Sequence, residues 1–254
     1  MKQIKFLCLA LMSAIIFASC SKSAGPAITS SATLKMSAAT ANGKTTITGR
    51  VGAVGSRTDA AATVTLTDVK VNVKELEFDF DHEDEHFKKD SAFNGNEDAK
   101  LKGPFIVDLM NAGAFVDQVI TTVNIPNAKY EKVGFKVAPS KVAGDMNGKS
   151  ILITGTIGTI PFVFWHDAKI RFEVKFQDST ALAVSGAGVT LAIHLELDKI
   201  MSVVNGGVDL STATDGNKDG TITIDPLNDD GNKQLADQLI RLLMHRTHCE
   251  KKKD

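Results

Sequence analysis

Residues 215–226 contain the set of side chains best spaced to bind a cation. Oxygen-bearing Asp215, Asn217 and Asp219 alternate along this segment, and Gly220 follows directly. When such a loop wraps around a cation, alternate side-chain oxygens converge on one point, and glycine permits the sharp turn that the loop needs. Oxygen ligands at this spacing are typical of Ca²⁺ sites, so the sequence predicts a calcium loop here.

The second half of this loop departs from the usual calcium pattern. Thr221 would supply its backbone carbonyl, but Pro226 stands where a bidentate glutamate is usual, and Asp225 is the nearest acid. The loop resembles the shortened calcium loops of dockerin-like extracellular modules, which implies weak binding, at about 10⁻⁴–10⁻³ M. A polar turn without metal is the alternative interpretation, because aspartate, asparagine and glycine dominate turns.

A second metal-binding pattern lies between His82 and His86, which with Glu83 match the sequence H-E-x-x-H. On a helix this spacing places both histidines on one face to bind zinc, with the glutamate as general base. Residues 75–80 instead have the alternation of a strand, and the segment after them has almost no apolar face. A solvated acidic loop is therefore expected, and a metal-dependent hydrolase such as a zinc peptidase remains the alternative function.

The first twenty residues have the three parts of an export signal. Lys2 and Lys5 form a positive start, and residues 6–17 form an apolar run too short to span a bilayer. Small residues then precede Cys20, and this junction resembles the bacterial lipobox. The resemblance implies a signal peptide over residues 1–19 and lipidation of Cys20, with an ordinary cleaved signal as the alternative.

The whole mature chain resembles uncharacterised Bacteroidota lipoproteins that carry a β-sandwich domain of unknown function. The resemblance rests on Cys20 and on residues 103–109, 125–130 and 134–137. It implies a lipoprotein of the bacterial outer membrane, either periplasmic-facing or surface-exposed. Its expected partners are the membrane, through the lipid anchor, and other envelope proteins, while its ligand stays unknown.

Strands with one buried face and one wet face are predicted along most of the chain. Residues 169–176 alternate charged and apolar side chains without interruption, and residues 189–198 do nearly the same. A slip in the alternation at Lys74 and Glu75 indicates a bulge. The strand-like segments are residues 46–54, 63–73, 76–80, 105–109, 116–124, 129–137, 151–155, 160–165, 169–176 and 189–198.

These strands predict an all-β fold, an antiparallel β-sandwich of the immunoglobulin or transthyretin type. One C-terminal α-helix is expected over residues 232–246, where leucines recur every fourth position. Residues 20–44, rich in Ser, Ala and Thr, predict a flexible tether, which leaves residues 45–254 as a single domain. A hairpin turn is expected at residues 165–168, with His166 solvated there and His194 solvated on the wet face of its strand.

The composition and the absence of certain motifs exclude several classes of function. The net charge of −1 excludes a generic nucleic-acid binder, which needs a basic surface. Of the three cysteines, Cys8 leaves with the signal and Cys20 carries lipid, so only Cys249 remains and no internal disulfide forms. Neither a nucleophile elbow nor a phosphate-binding loop occurs in the sequence. The chain is therefore expected to be a non-catalytic binding or structural module of the cell envelope, stabilised by calcium.

Overall fold

Alternation of buried and exposed residues produces a molecule made mostly of β-strands. The computed structural model describes residues 29–48, 63–80, 99–127, 129–175, 182–184 and 188–251. The strands are β1 (Thr29–Ala39), β2 (Thr46–Thr48), β3 (Thr63–Phe80), β4 (Ala99–Asp108), β5 (Met110–Asn111), β6 (Ala114–Phe115), β7 (Gln118–Pro126), β8 (Lys129–Val137), β9 (Ile151–Ile157), β10 (Ile160–His166), β11 (Ile170–Lys175), β12 (Leu182–Ala183), β13 (Val189–Glu196), β14 (Ile222–Ile224) and β15 (His248–Lys251). The α-helices of these residues are α1 (Leu197–Met201) and α2 (Lys233–Arg246).

The described strands form two main sheets. The larger sheet has the order β11-β8-β3-β9-β10-β14, with β2 and β4 also paired to β3 and with β12 paired to β8. The smaller sheet has the order β15-β13-β1-β7, and β5 and β6 form a separate two-stranded ribbon. One hydrophobic core takes side chains from both main sheets, so the predicted all-β, sandwich-like fold is confirmed. The sheets are mixed rather than purely antiparallel, because β1 pairs in parallel with β13, and β10 with β14.

Strand β3 is the long central element of the larger sheet. It pairs with β4 and β8 along its second half and with β2 and β9 along its first half. Its register to both β4 and β8 shifts between Val73 and Glu75, which confirms the bulge predicted from the slip in alternation. The residues 63–80 therefore form one bent strand that can contribute to two parts of the core.

Strand β1 corrects the prediction of a tether over residues 20–44. Residues 29–39 lie in the middle of the smaller sheet, parallel to β13 on one side and antiparallel to β7 on the other. Ala32, Leu34, Met36 and Ala38 are buried, with at most 2% of each residue exposed. The domain therefore includes residues that precede position 45, and residues 20–28 of the predicted tether lie outside the described residues.

The predicted C-terminal helix is confirmed as α2, which starts one residue after Asn232. Its buried side chains are Ala236, Leu239, Ile240 and Leu243, and they belong to the common core. The helix packs against β10, β11, β13 and β14. A search of the described residues for a helix long and apolar enough to cross a membrane finds none.

The turn predicted at residues 165–168 follows β10, but it does not join two paired strands. β10 pairs with β9 and β14, whereas β11 pairs with β8 at the opposite edge of the sheet. The segment is therefore a crossover connection instead of the predicted hairpin. The error arose because alternation identifies a strand but says nothing about which strand lies beside it.

Candidate functional site

The segment 215–221 forms a closed loop around the carboxylate of Asp215. One Asp215 oxygen accepts a hydrogen bond from the Asp219 amide at 3.1 Å, and the other accepts one from the Gly220 amide at 2.9 Å. The side chain of Asn217 accepts a bond from the same Asp219 amide at 2.9 Å, and Asp219 accepts one from Thr221 at 2.8 Å. Three predicted ligands, Asp215, Asn217 and Asp219, are therefore brought together on one turn.

Two residues with positive φ make this turn possible. Gly220 has a φ of 90° and Lys218 a φ of 64°, a region that costs little for glycine. A side chain at Gly220 would have open space around it, so its backbone conformation, and not crowding, is what requires glycine there. This agrees with the role given to Gly220 in the sequence pattern.

Asp230 fastens the loop to the neighbouring strand. It is 4% exposed; its Oδ1 accepts a hydrogen bond from the Asn217 amide at 3.0 Å and its Oδ2 accepts one from the Thr223 amide at 2.6 Å. Asn232, the residue before α2, donates to the carbonyls of Thr214 at 2.7 Å and Thr223 at 2.9 Å. Both ends of the loop are thus tied to the start of α2.

Sequence reasoning missed Asp230 and Asn232 as residues of this site. Their partners lie between 7 and 18 residues away in the chain, so no local spacing reveals them. The signal that could have found Asp230 is the pair of acids just before a helix, in a segment that also follows a calcium-type loop. Acids at this position also interact favourably with the helix dipole, so the pair alone does not indicate a contact with the loop.

Asp225, the fifth predicted ligand, is held by a different turn. It is 1% exposed, and its Oδ1 accepts hydrogen bonds from the Asn228 amide at 2.7 Å and the Asp229 amide at 3.4 Å. Its Oδ2 is buried without a hydrogen-bond partner. The nearby charge of Asp225 is the main cause that raises the pKa of the Asp229 carboxyl. Asp225 therefore lies close to a second acid.

The described residues contain no group of three or more His, Cys, Asp and Glu side chains placed to hold a metal ion. Asp215, Asp219 and Asp225 are therefore not assembled as three carboxylate ligands in this conformation. The predicted set instead depends on the amide oxygen of Asn217 and the backbone carbonyl of Thr221 beside the carboxylates of the loop. His82 and His86, the alternative zinc ligands, and Cys20, the predicted lipidation site, lie outside the described residues.

Two histidines expected to be solvated have structural contacts. His166 ends β10 and is 9% exposed, and its Nδ1 accepts a hydrogen bond from the Ala168 amide at 2.9 Å. Its Nε2 is buried without a hydrogen-bond partner and lies 3.8 Å from Asp237 Oδ1. Burial lowers the pKa of His166, although the carboxylates of Asp167 and Asp237 oppose the shift. The half-buried His194 places Nδ1 2.8 Å from Ser37 Oγ and so links β13 to β1. Neither histidine is the solvated side chain that the sequence suggested.

The geometry of the loop is thus the main guide to function. It joins oxygen-bearing side chains, a positive-φ turn and anchors to α2 in residues 214–232. Comparison of the chain with protein-family models, with curated proteins and with solved structures finds no match in any of the three.

Proposed function

We propose that the protein is an envelope lipoprotein whose β-sandwich is a non-catalytic binding or structural module, with Ca²⁺ stabilising the segment before α2. The observation that carries the calcium proposal is the closure of residues 215–221 around Asp215, with alternate side-chain oxygens on the same turn. A carboxylate has about four acceptor sites. Asp215 and Asp219 therefore keep lone pairs for a cation while accepting these backbone hydrogen bonds.

Calcium would act here as a structural clamp. The loop precedes β14, the edge strand that pairs with β10, and it is tied through Asp230 and Asn232 to the start of α2. A cation bound by Asp215, Asn217, Asp219 and the Thr221 carbonyl would fix these elements relative to each other. The proposed set does not include Asp225, whose carboxylate is held by a different turn through the Asn228 amide.

We expect millimolar Ca²⁺ to stabilise the protein. With free calcium at about ten times a dissociation constant of about 10⁻⁴–10⁻³ M, binding to the folded state alone adds about 1.4 kcal/mol. For a domain of this size that is a rise of about 3–5 °C in Tm. Calorimetric titration and thermal unfolding, each with EDTA as the calcium-free reference, measure the two effects.

The controls separate this loop from other acids. Asp215→Asn and Asp219→Asn should abolish both the heat of binding and the rise in Tm, whereas Asp209→Asn should keep them. Asp209 is a matched control, because its carboxylate also accepts a backbone amide two residues on, from Ser211 at 3.0 Å. Absence of heat at millimolar calcium would refute the proposal. An undiminished response in a variant that carries both Asp215→Asn and Asp219→Asn would show that calcium binds outside residues 215–221.

The membrane anchor is tested separately at Cys20. In a bacterial host fed with labelled palmitate, we expect label in the protein and its loss in Cys20→Ala, because the substitution removes the thiol that would carry the lipid. Cys8→Ala is the matched control and should keep both the label and the membrane fraction, because Cys8 lies in the segment that is cleaved. Label that persists in Cys20→Ala, or a wild type without label, would refute the lipid anchor.

A further inference from the structure

A cleft of about 290 Å³ lies between the turn that joins β1 to β2 and the segment that follows β13. We call it the Asp198 cleft after the buried acid in its wall. Its nine lining residues include threonine, serine and asparagine side chains, and none of them is aromatic. A ligand of this cleft would therefore bind without aromatic stacking.

Asp198 is a buried acid without a cationic partner among the described residues. The residue is 8% exposed, and its Oδ2 accepts one hydrogen bond, from the Asn205 side-chain amide at 3.2 Å. The adjacent Lys199 is engaged elsewhere, because its Nζ lies 2.5 Å from Glu196 Oε1. The sequence had placed Asp198 on the wet face of a strand, whereas the structure places it in helix α1.

The backbone around Asp198 is rigidly held. Leu197, Ile200 and Met201 of α1 are buried in the core, with at most 1% of each exposed. The chain then folds back on the helix, and the Ser202 carbonyl accepts hydrogen bonds from the amides of Asn205 and Gly207. A side chain at Gly207 would meet the Ile200 carbonyl at 2.5 Å, so only glycine permits this close return. The carboxylate is thus preorganised before any ligand arrives.

The turn between β1 and β2 forms the opposite wall of the cleft and is stabilised by hydrogen bonds within the turn. Thr40 Oγ1 lies 2.6 Å from the Lys44 carbonyl, and Asn42 Oδ1 accepts a bond from the Lys44 amide at 3.0 Å. Thr46 and Thr48 line the cleft just beyond this turn. The Asp198 cleft therefore offers one negative charge together with hydroxyl groups that can donate or accept.

We propose that the Asp198 cleft binds a small hydroxylated primary amine, with the ammonium group on Asp198 and the ligand hydroxyls on the threonine and serine side chains. The Asp198 carboxylate accepts one side-chain hydrogen bond, and a cation that pairs with it would add a charge-assisted hydrogen bond. The volume lies at the lower end of small-molecule sites, which are about 300–1,000 Å³. This inference rests on the proposed binding role and gives that role a site, but it does not require the calcium loop.

The test compares amines with matched alcohols on the full chain. Glucosamine and ethanolamine are titrated against glucose and ethylene glycol at neutral pH, in EDTA and again in calcium, with amide NMR shifts as the readout. We expect at least one amine to bind about tenfold or more tightly than its matched alcohol, with shifts at α1 and at the β1–β2 turn. Calcium should leave this affinity unchanged, so failure here and failure of the calcium loop are separate results.

Variants locate the site. Asp198→Asn should weaken amine binding by about tenfold or more, since it removes the charge and keeps the shape. Thr48→Lys places a competing cation at an exposed rim position and should weaken binding similarly without disturbing the core. Glu196→Gln, a nearby acid outside the cleft, should bind as the wild type does. Equal binding of amine and alcohol, no binding of either amine, or unchanged affinity in Thr48→Lys would overturn the proposal.

Discussion

Replacing Gly155 with alanine should destabilise the protein by about 3 kcal/mol or more, because the added carbon has no space in the larger sheet. Gly155 lies in β9 between β3 and β10, opposite Leu66 on one side and Phe162 on the other. An ideal Cβ there would lie 2.0 Å from the Thr65 carbonyl oxygen and 2.9 Å from a ring carbon of Phe162. Because the carbonyl oxygen at 2.0 Å belongs to the backbone of β3, strands β9 and β3 would have to move apart. Urea unfolding followed by circular dichroism measures the loss.

Gly134→Ala is the matched control for this substitution. Gly134 also lies within a central strand, paired with Glu77 of β3 and Glu173 of β11. Its nearest neighbour would be an Arg171 nitrogen at 3.6 Å, an ordinary contact. Alanine should therefore be neutral or stabilise by about 0.5–1 kcal/mol, because it reduces the entropy of the unfolded chain. Similar losses in the two variants would contradict the packing around Gly155.

Strands with a strict alternation could be predicted because the polarity of each side chain along the strand indicates which face it occupies. Strand β8 has the bounds that its sequence indicates, β11 begins one residue later than predicted, and β13 ends two residues earlier than predicted. The bulge near Lys74 was also predictable, since an inserted residue reverses which face each side chain occupies. None of these inferences needed knowledge of a partner strand.

Strand partners and the buried acid of the cleft were beyond the same reasoning. The pairing of β1 with β13 joins Ala32 to Val189, and only the folded chain brings them together. Asp198 continues the polar phase of β13, so alternation placed it in water, but the chain turns into α1 at Leu197 and carries it inward. A periodic pattern cannot indicate where the chain changes from strand to helix when both elements are buried.

The contacts of the candidate calcium loop were likewise predictable where they are local and not where they are long-range. Asp215, Asn217 and Asp219 contact backbone amides two to five residues away, so their spacing in the sequence contains the geometry. Asp230 accepts a hydrogen bond from the Asn217 amide, 13 residues earlier in the chain, and the local spacing of residues could not predict that contact. Local motifs were thus predictable, while the contacts that tie a motif to the fold were not.

Leu34→Ala should cost about 3 kcal/mol, within the usual range of about 2–5 kcal/mol for a buried leucine, because residues 29–39 are a central strand of the domain. Leu34 is 1% exposed and pairs with Leu191 of β13 and Thr121 of β7. Lys35→Ala is the matched control one residue later, where the side chain points to the other face of the sheet and the cost should stay below about 0.5 kcal/mol. Urea unfolding at fixed calcium measures both. A flexible tether would make the two substitutions equally harmless, so equal stabilities would contradict the placement of β1 between β13 and β7.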